Sequence, residues 1–155
     1  MTAKVTVRIQ ETDFDIGQEI AALTKGRSDI GAVVSFSGIC RGNEGREAIA
    51  ALTLEHYPEM AEAEIRRHAE TAMSRWPLSG LSVIHRFGRI IPGENIVLVL
   101  TASQHRQAAF AAAEFLMDYL KTNAPFWKRA EGTAGTDWIE ARDHDDDAAA
   151  RWTRS

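Results

Sequence analysis

The sequence predicts an α+β fold, a single domain in which helices pack on a mixed or antiparallel sheet. Three observations predict it. Segments with period-two apolar alternation are interleaved with segments of three- and four-residue spacing along most of the chain. The first strand pairs show no regular β-α-β repetition, which argues against a parallel α/β sheet. No internal repeat or interdomain linker divides the 155 residues, a length that suits one domain with a real core.

The elements follow in order. Val5 to Ile9 alternates like a strand with one buried face. Asp13 or Asp15 caps a short helix through Ile16, Ile20 and Leu23 that ends near Gly26. Ala32 to Gly38 reads as a largely buried strand, and Gly42 to Gly45 as a loop. Ala50 to His56 alternates again. Pro58 opens a helix whose apolar face carries Ala61, Ile65, Ala69, Ala72 and Trp76, stopped by Pro77 and Gly80. Leu81 to Phe87 and Ile96 to Ala102 are strands on either side of the turn Ile91-Pro92-Gly93-Glu94. Ser103 caps a long helix through Ala109, Ala112, Leu116 and Tyr119, which Pro125 ends. Trp138 to Ala141 is a last short strand. The domain is expected over residues 1–142. Residues 143–155 form a solvated tail with the acidic run Asp145 to Asp147, docked in part through Trp152.

Bulk properties exclude several classes. A net charge of -4 and a pI near 5.7 do not suit a nucleic-acid partner, which needs a basic footprint. Cys40 is the single cysteine, so no internal disulfide forms, which fits a reducing compartment. Met1 to Gln10 holds no apolar signal-peptide stretch, and no apolar run approaches the roughly 20 residues of a membrane helix. The expectation is a soluble cytoplasmic protein with no membrane partner. Its five histidines form no His-Glu-x-x-His pattern, so no metal site is expected, and His56 and His85 read as packing residues within strands.

Lysine usage is the most unusual feature. Of 18 basic residues, only Lys4, Lys25, Lys121 and Lys128 are lysines, and two of these flank Asn123-Ala124-Pro125-Phe126-Trp127. Arginine keeps its proton in a protein, whereas a part-buried lysine amine can release it. Two readings of the pair are open. Aromatic neighbours depress a catalytic lysine in one; in the other, two surface cations complement a helix C-terminus. His105 and Arg106 follow Ser103 at an expected helix N-terminus, which is either an anion site or an exposed first turn. Arg41 ends a strand before a glycine-rich loop, a common ligand position, though alone it reads as a solvated arginine. Cys40 reads as a small buried hydrophobe.

Taken together, five segments resemble the catalytic large subunit family of molybdopterin synthase. They run from Gly31 to Arg41, Leu54 to Ala61, His85 to Glu94, Ser103 to Phe110 and Met117 to Lys128, in the family's order over nearly the whole chain. The resemblance implies a hammerhead-like α+β domain that forms a homodimer. Each copy then binds a small ubiquitin-like sulfur-carrier subunit, giving a heterotetramer. The carrier's C-terminal Gly-Gly thiocarboxylate delivers sulfur to cyclic pyranopterin monophosphate to form the molybdopterin dithiolene, with no metal or other cofactor in the step.

The resemblance also implies site roles. Lys121 and Lys128 match the family's active-site lysines, Lys121 as general acid/base or transient covalent residue and Lys128 as a ligand of the tail or pterin. Arg41, His105 and Arg106 match its anion-binding positions, with Ile39 and Cys40 lining the pocket beside Arg41 and Arg129 at its edge. One departure stands out: the family's acid two residues after the second lysine is here Ala130, followed by Glu131. Either Glu131 takes its place through a shifted backbone or the acid is dispensable. Two other classes compete with the enzyme: an anion- or nucleotide-binding module using the same cations, and a structural subunit indifferent to both lysines.

Overall fold

Branched apolar residues at period two build the central strands, and the two faces of each strand then need separate cover. The computed structural model describes residues 2–122, 126–132, 135–138 and 152. Its first sheet contains β1 (Lys4–Gln10), β5 (Leu78–Arg86), β7 (Asn95–Ser103) and β2 (Ala32–Ile39), in that spatial order. β1 runs parallel to β5, and the other two pairings are antiparallel. The sheet is therefore mixed, as the sequence predicts.

Leu81, Val83, Val97 and Val99 point to one face, where they meet Ile65, Ala69 and Ala72 of α2 (Pro58–Arg75) and Ala112, Phe115 and Leu116 of α3 (Arg106–Thr122). Small alanines at the helix contacts let both helices lie close to the strands. Ile84, Leu98, Leu100 and Ala102 point to the other face and are covered by α1 (Ile16–Thr24) through Ile16, Ile20 and Leu23. Each fully buried Leu, Ile or Phe contributes about 1.5–3 kcal/mol, so these two layers hold most of the stability.

A second sheet goes beyond the one read in the sequence. β3 (Asn43–Glu44), β4 (Glu47–His56), β8 (Phe126–Gly132) and β9 (Gly135–Trp138) pair in order, and β6 (Gly88–Ile90) pairs with β4 as well. The turn-rich loop expected at Gly42 to Gly45 is in fact part of a strand pair. Gly45 takes φ +63°, which lets Asn43–Glu44 turn back on Glu47–Ala48 as a hairpin.

Several boundaries differ from expectation. Asp15 is the α1 cap, accepting from the Gln18 N–H at 2.9 Å. Ser103 does not cap α3: it closes β7, and its hydroxyl donates to the His105 carbonyl. Gly80 does not stop α2, because β5 already begins at Leu78. β9 ends at Trp138, where the last strand was expected to begin, and Ile139 to Ala141 lie outside the described residues. So does the acidic run Asp145 to Asp147. Trp152 packs edge-on against Trp76 and Phe115, its indole N–H donates to Asp118, and its carbonyl accepts from Arg75 at 3.1 Å.

His68 lies on the buried face of α2, its ring 3.5 Å from that of Tyr119 on α3. Burial, and then the charge of Arg67, lower its pKa to about 4 against the pull of Glu64. Below pH 6.5 the unfolded chain takes up this proton more readily than the folded one. The stabilisation is complete above about 6.5 and is lost as pH falls towards 4. The thermal midpoint should therefore drop over that window, and His68→Phe, which keeps the stack, should flatten the drop. Calorimetry across pH 4 to 7 checks this, and an unaltered slope in the variant would remove His68 as its cause.

Candidate active site

The site begins where β2 leaves the first sheet. The register slips between Gly38 and Ile39, and a Cβ on Gly38 would lie 2.7 Å from Val97 Cγ1. Beyond the slip, the Cys40 N–H donates to Glu94 at 2.9 Å, and Gly93 donates back to the Cys40 carbonyl at 2.8 Å. The turn at Ile91 to Glu94 thus fastens Cys40 and throws Arg41 outward. Cys40 is buried with Ile49, Leu52, Leu54 and Ile90, and its thiol contacts the Ile90 carbonyl at 3.7 Å. Ile39 is left half exposed at the end of β2. Arg41 is more exposed still and pairs with Glu44 at 3.3 Å. A pair that open contributes about 0.2–1 kcal/mol, too little to explain it as a stabilising device.

The second side of the site comes from β8. It runs antiparallel to β4, with Phe126 opposite His56, Lys128 opposite Leu54 and Ala130 opposite Leu52. Strand alternation puts Phe126, Lys128 and Ala130 on one face. Phe126 stacks on buried His85 of β5 with centroids 3.9 Å apart and planes 14° apart, and it lies 5.7 Å from His56. This ring stack ties the second sheet to the first beside the lysines. Ala130 packs on the cluster around Cys40.

The charges converge at Lys128. Burial and then the neighbouring charge of Lys121 lower its pKa; Glu44 raises it, Arg41 lowers it and Cys40 raises it. Burial also pushes the Cys40 thiol up, against the pull of Lys128. His85 is lowered to about 4, chiefly by burial, with His56, Lys121 and Lys128 adding to the effect against a backbone hydrogen bond. Its Nδ1 sits 2.8 Å from the Arg86 carbonyl and so carries the ring proton. Near neutral pH the imidazole adds no charge to the pocket.

Of the expected residues, Arg41, Cys40, Lys121 and Lys128 therefore come together. Arg129 faces away from Lys128, on the other side of β8, where it lies 3.9 Å from Glu55. Glu131 shares that outer face and pairs with Arg89 at 3.2 Å. Pairing is regular from Ala51 to His56, so no backbone shift brings Glu131 into the place of Ala130. His105 and Arg106 stand at the opposite end of α3. The 15 residues from Arg106 to Lys121 span about 22 Å of helix. His105 instead borders an open cleft of about 460 Å³ with Asp29, Ser79 and Gln104. Sequence reasoning missed Glu44, which it placed in a loop, and did not connect His85 with the lysines. No local signal marks either, because both reach the site through strand pairing.

Comparison with known proteins places this architecture. A family model described as MoaE protein matches residues 9–123. The chain belongs to the MoaE protein family. Within the family, it is 64% identical over 152 residues to a protein of Mesorhizobium japonicum, covering 97% of this chain and 94% of the relative. It is 60% identical over 157 residues to one of Rhizobium meliloti, with 99% of each covered. Both are named molybdopterin synthase catalytic subunit. A molybdopterin biosynthesis MoaE protein from Burkholderia ambifaria superposes with TM-score 0.82 at 45% identity, over 96% of this chain and 98% of the other. Molybdopterin synthase from Staphylococcus aureus superposes with TM-score 0.78 at 26% identity, over 85% and 95%.

The thiol geometry makes a separate prediction. Only the thiolate is nucleophilic, and burial disfavours it. Native protein at pH 8 should leave Cys40 unlabelled by a chromogenic disulfide reagent, with one thiol appearing on unfolding. Rapid labelling of folded protein would show that Cys40 is accessible and a candidate for chemistry.

Proposed function

We propose that this chain is the catalytic subunit of molybdopterin synthase, a sulfurtransferase working in the cytoplasm. In this reading a small ubiquitin-like subunit presents its C-terminal Gly-Gly thiocarboxylate, and sulfur passes to cyclic pyranopterin monophosphate. Two such transfers build the dithiolene of molybdopterin. The observation that carries the reading is Lys128, half-buried beside Lys121 and Arg41, with its proton affinity lowered. The names borne by relatives that match nearly the whole chain support it as well.

The chemistry asks for both kinds of cation in one pocket. Arg41 offers a permanent charge to a phosphate or carboxylate. An amine whose hold on its proton is loosened takes up and returns protons as sulfur is transferred. Burial makes Lys128 the better candidate for that task, which exchanges the roles expected from the resemblance: the proton transfer is assigned to Lys128 instead of Lys121, and Lys121, the more exposed, receives the incoming tail. His105 and Arg106 lie too far along α3 for one small pterin to touch them and the lysines of the same copy. The reading therefore takes them from the second copy of a homodimer, which two small subunits complete as a heterotetramer.

Turnover with thiocarboxylated small subunit and cyclic pyranopterin monophosphate tests the proposal, with molybdopterin read by the fluorescence of its oxidised derivative. Lys121→Ala and Lys128→Ala should each lower kcat by about 100-fold or more. Binding without turnover in the wild type would favour an anion-binding module, and full activity in both variants a structural subunit. Mixing Lys128→Ala with Arg106→Ala protomers should restore about a quarter of wild-type sites, because each mixed dimer rebuilds one. No recovery on mixing would place His105 and Arg106 outside the site.

A further inference from the structure

We propose that Glu44 is a positioning residue of this reaction: its carboxylate, delivered by the β3–β4 hairpin, orients Arg41 and is the counter-charge that offsets the repulsion between Arg41 and Lys128. The inference rests on the reading above, since it gives Glu44 a part in the work of Lys128.

Charged and titratable groups reach this pocket from several elements. Lys121 comes from α3, Arg41 and Cys40 from the segment after β2, Glu44 from β3, His85 from β5 and His56 from β4. His85 and His56, both lowered by burial, are neutral near pH 7, and the Cys40 thiol keeps its proton. Among the described residues, what remains is three cations and, of the groups that act on Lys128, the carboxylate of Glu44. β8 supplies no acid on that face, since Ala130 stands there and Glu131 faces Arg89 on the other. Glu94 is committed to the turn, accepting from the Ile91 N–H at 2.8 Å.

The hairpin is built to hold a charge in place. Its root is anchored by Ile49, which is buried with Cys40 and donates its N–H to the Gly42 carbonyl at 3.0 Å. Asn43 pairs with Ala48 and Glu44 with Glu47. Glu44 is half-buried and 3.3 Å from the Arg41 guanidinium. Like charges in a desolvated pocket repel, and a carboxylate beside them offsets the repulsion and favours the protonated amine. Without it, Lys128 gives up its proton at lower pH and Arg41 loses the partner that orients it.

The test is a titration of lysine side chains by carbon-13 NMR in the whole protein, beside the pH profile of kcat/KM. Glu44→Gln should move the Lys128 midpoint down by roughly half to one unit, and the limb of the profile that reports Lys128 should move with it. Glu44→Asp should restore most of the shift. A merely structural role would lower stability and leave the midpoint in place, so an unshifted Lys128 in folded Glu44→Gln overturns the proposal. Lys128→Ala separates the two claims. A variant as fast as wild type overturns the role of Lys128 itself, whereas a slow Lys128→Ala beside an unshifted Glu44→Gln overturns Glu44 alone.

Discussion

Lys121 and Arg41 both repel Lys128, and around its half-buried amine that repulsion is screened less than it would be in water. Side-chain attraction alone would not gather them. They are held by backbone: Lys128 by the β4–β8 ladder, Arg41 by paired hydrogen bonds between Cys40 and the Gly93–Glu94 turn, and Lys121 by the end of α3. The rest of the fold reads as the means of fixing these three attachments. Helices cover the first sheet on both faces, and the ring stack at His85 and Phe126 joins it to the second.

The junction between the sheets also explains the choice of neighbours. His85 is titratable, yet burial keeps it neutral and the Arg86 carbonyl fixes its tautomer. It offers an aromatic surface to Phe126 without adding a fourth cation. Cys40 shows the same economy: a small side chain that fills the cluster under Lys128 while its thiol stays protonated. Both are polar by residue type and act here as packing groups, as their place in the sequence leads one to expect.

How much of this was legible in the sequence depended on where the signal was local. The apolar face of α2 was, because Ala61, Ile65, Ala69 and Ala72 repeat at helical spacing and are all buried. His68 on that face was not, since nothing in its neighbours says that Tyr119 will cover it. β8 was hidden because its inward face carries Lys128, so Phe126 to Gly132 shows no apolar alternation to read. Ser103 looked like a helix cap because the strand before it was taken to end one residue early. The lysine pair was legible through scarcity of lysine. The separation of His105 and Arg106 from that pair was legible as well, from helix length, but a resemblance that groups residues by role does not measure distance.

The same geometry explains why most of this chain's cations are arginines and the exceptions matter. A guanidinium keeps its charge whatever surrounds it, which suits Arg86, buried and clamped on the Glu11 and Asn95 carbonyls. It equally suits the part proposed for Arg41, since a bound anion needs a partner that never lets go of its proton. At Lys128 a permanent charge would be a liability. Burial would still penalise it, Lys121 and Arg41 would still repel it, and no proton could leave to relieve either. A lysine there answers the same burial and repulsion with an amine whose proton is held less tightly. That amine is then tuned by whichever carboxylate reaches it, which makes the β3–β4 hairpin a determinant of reactivity although it carries no residue that transfers sulfur.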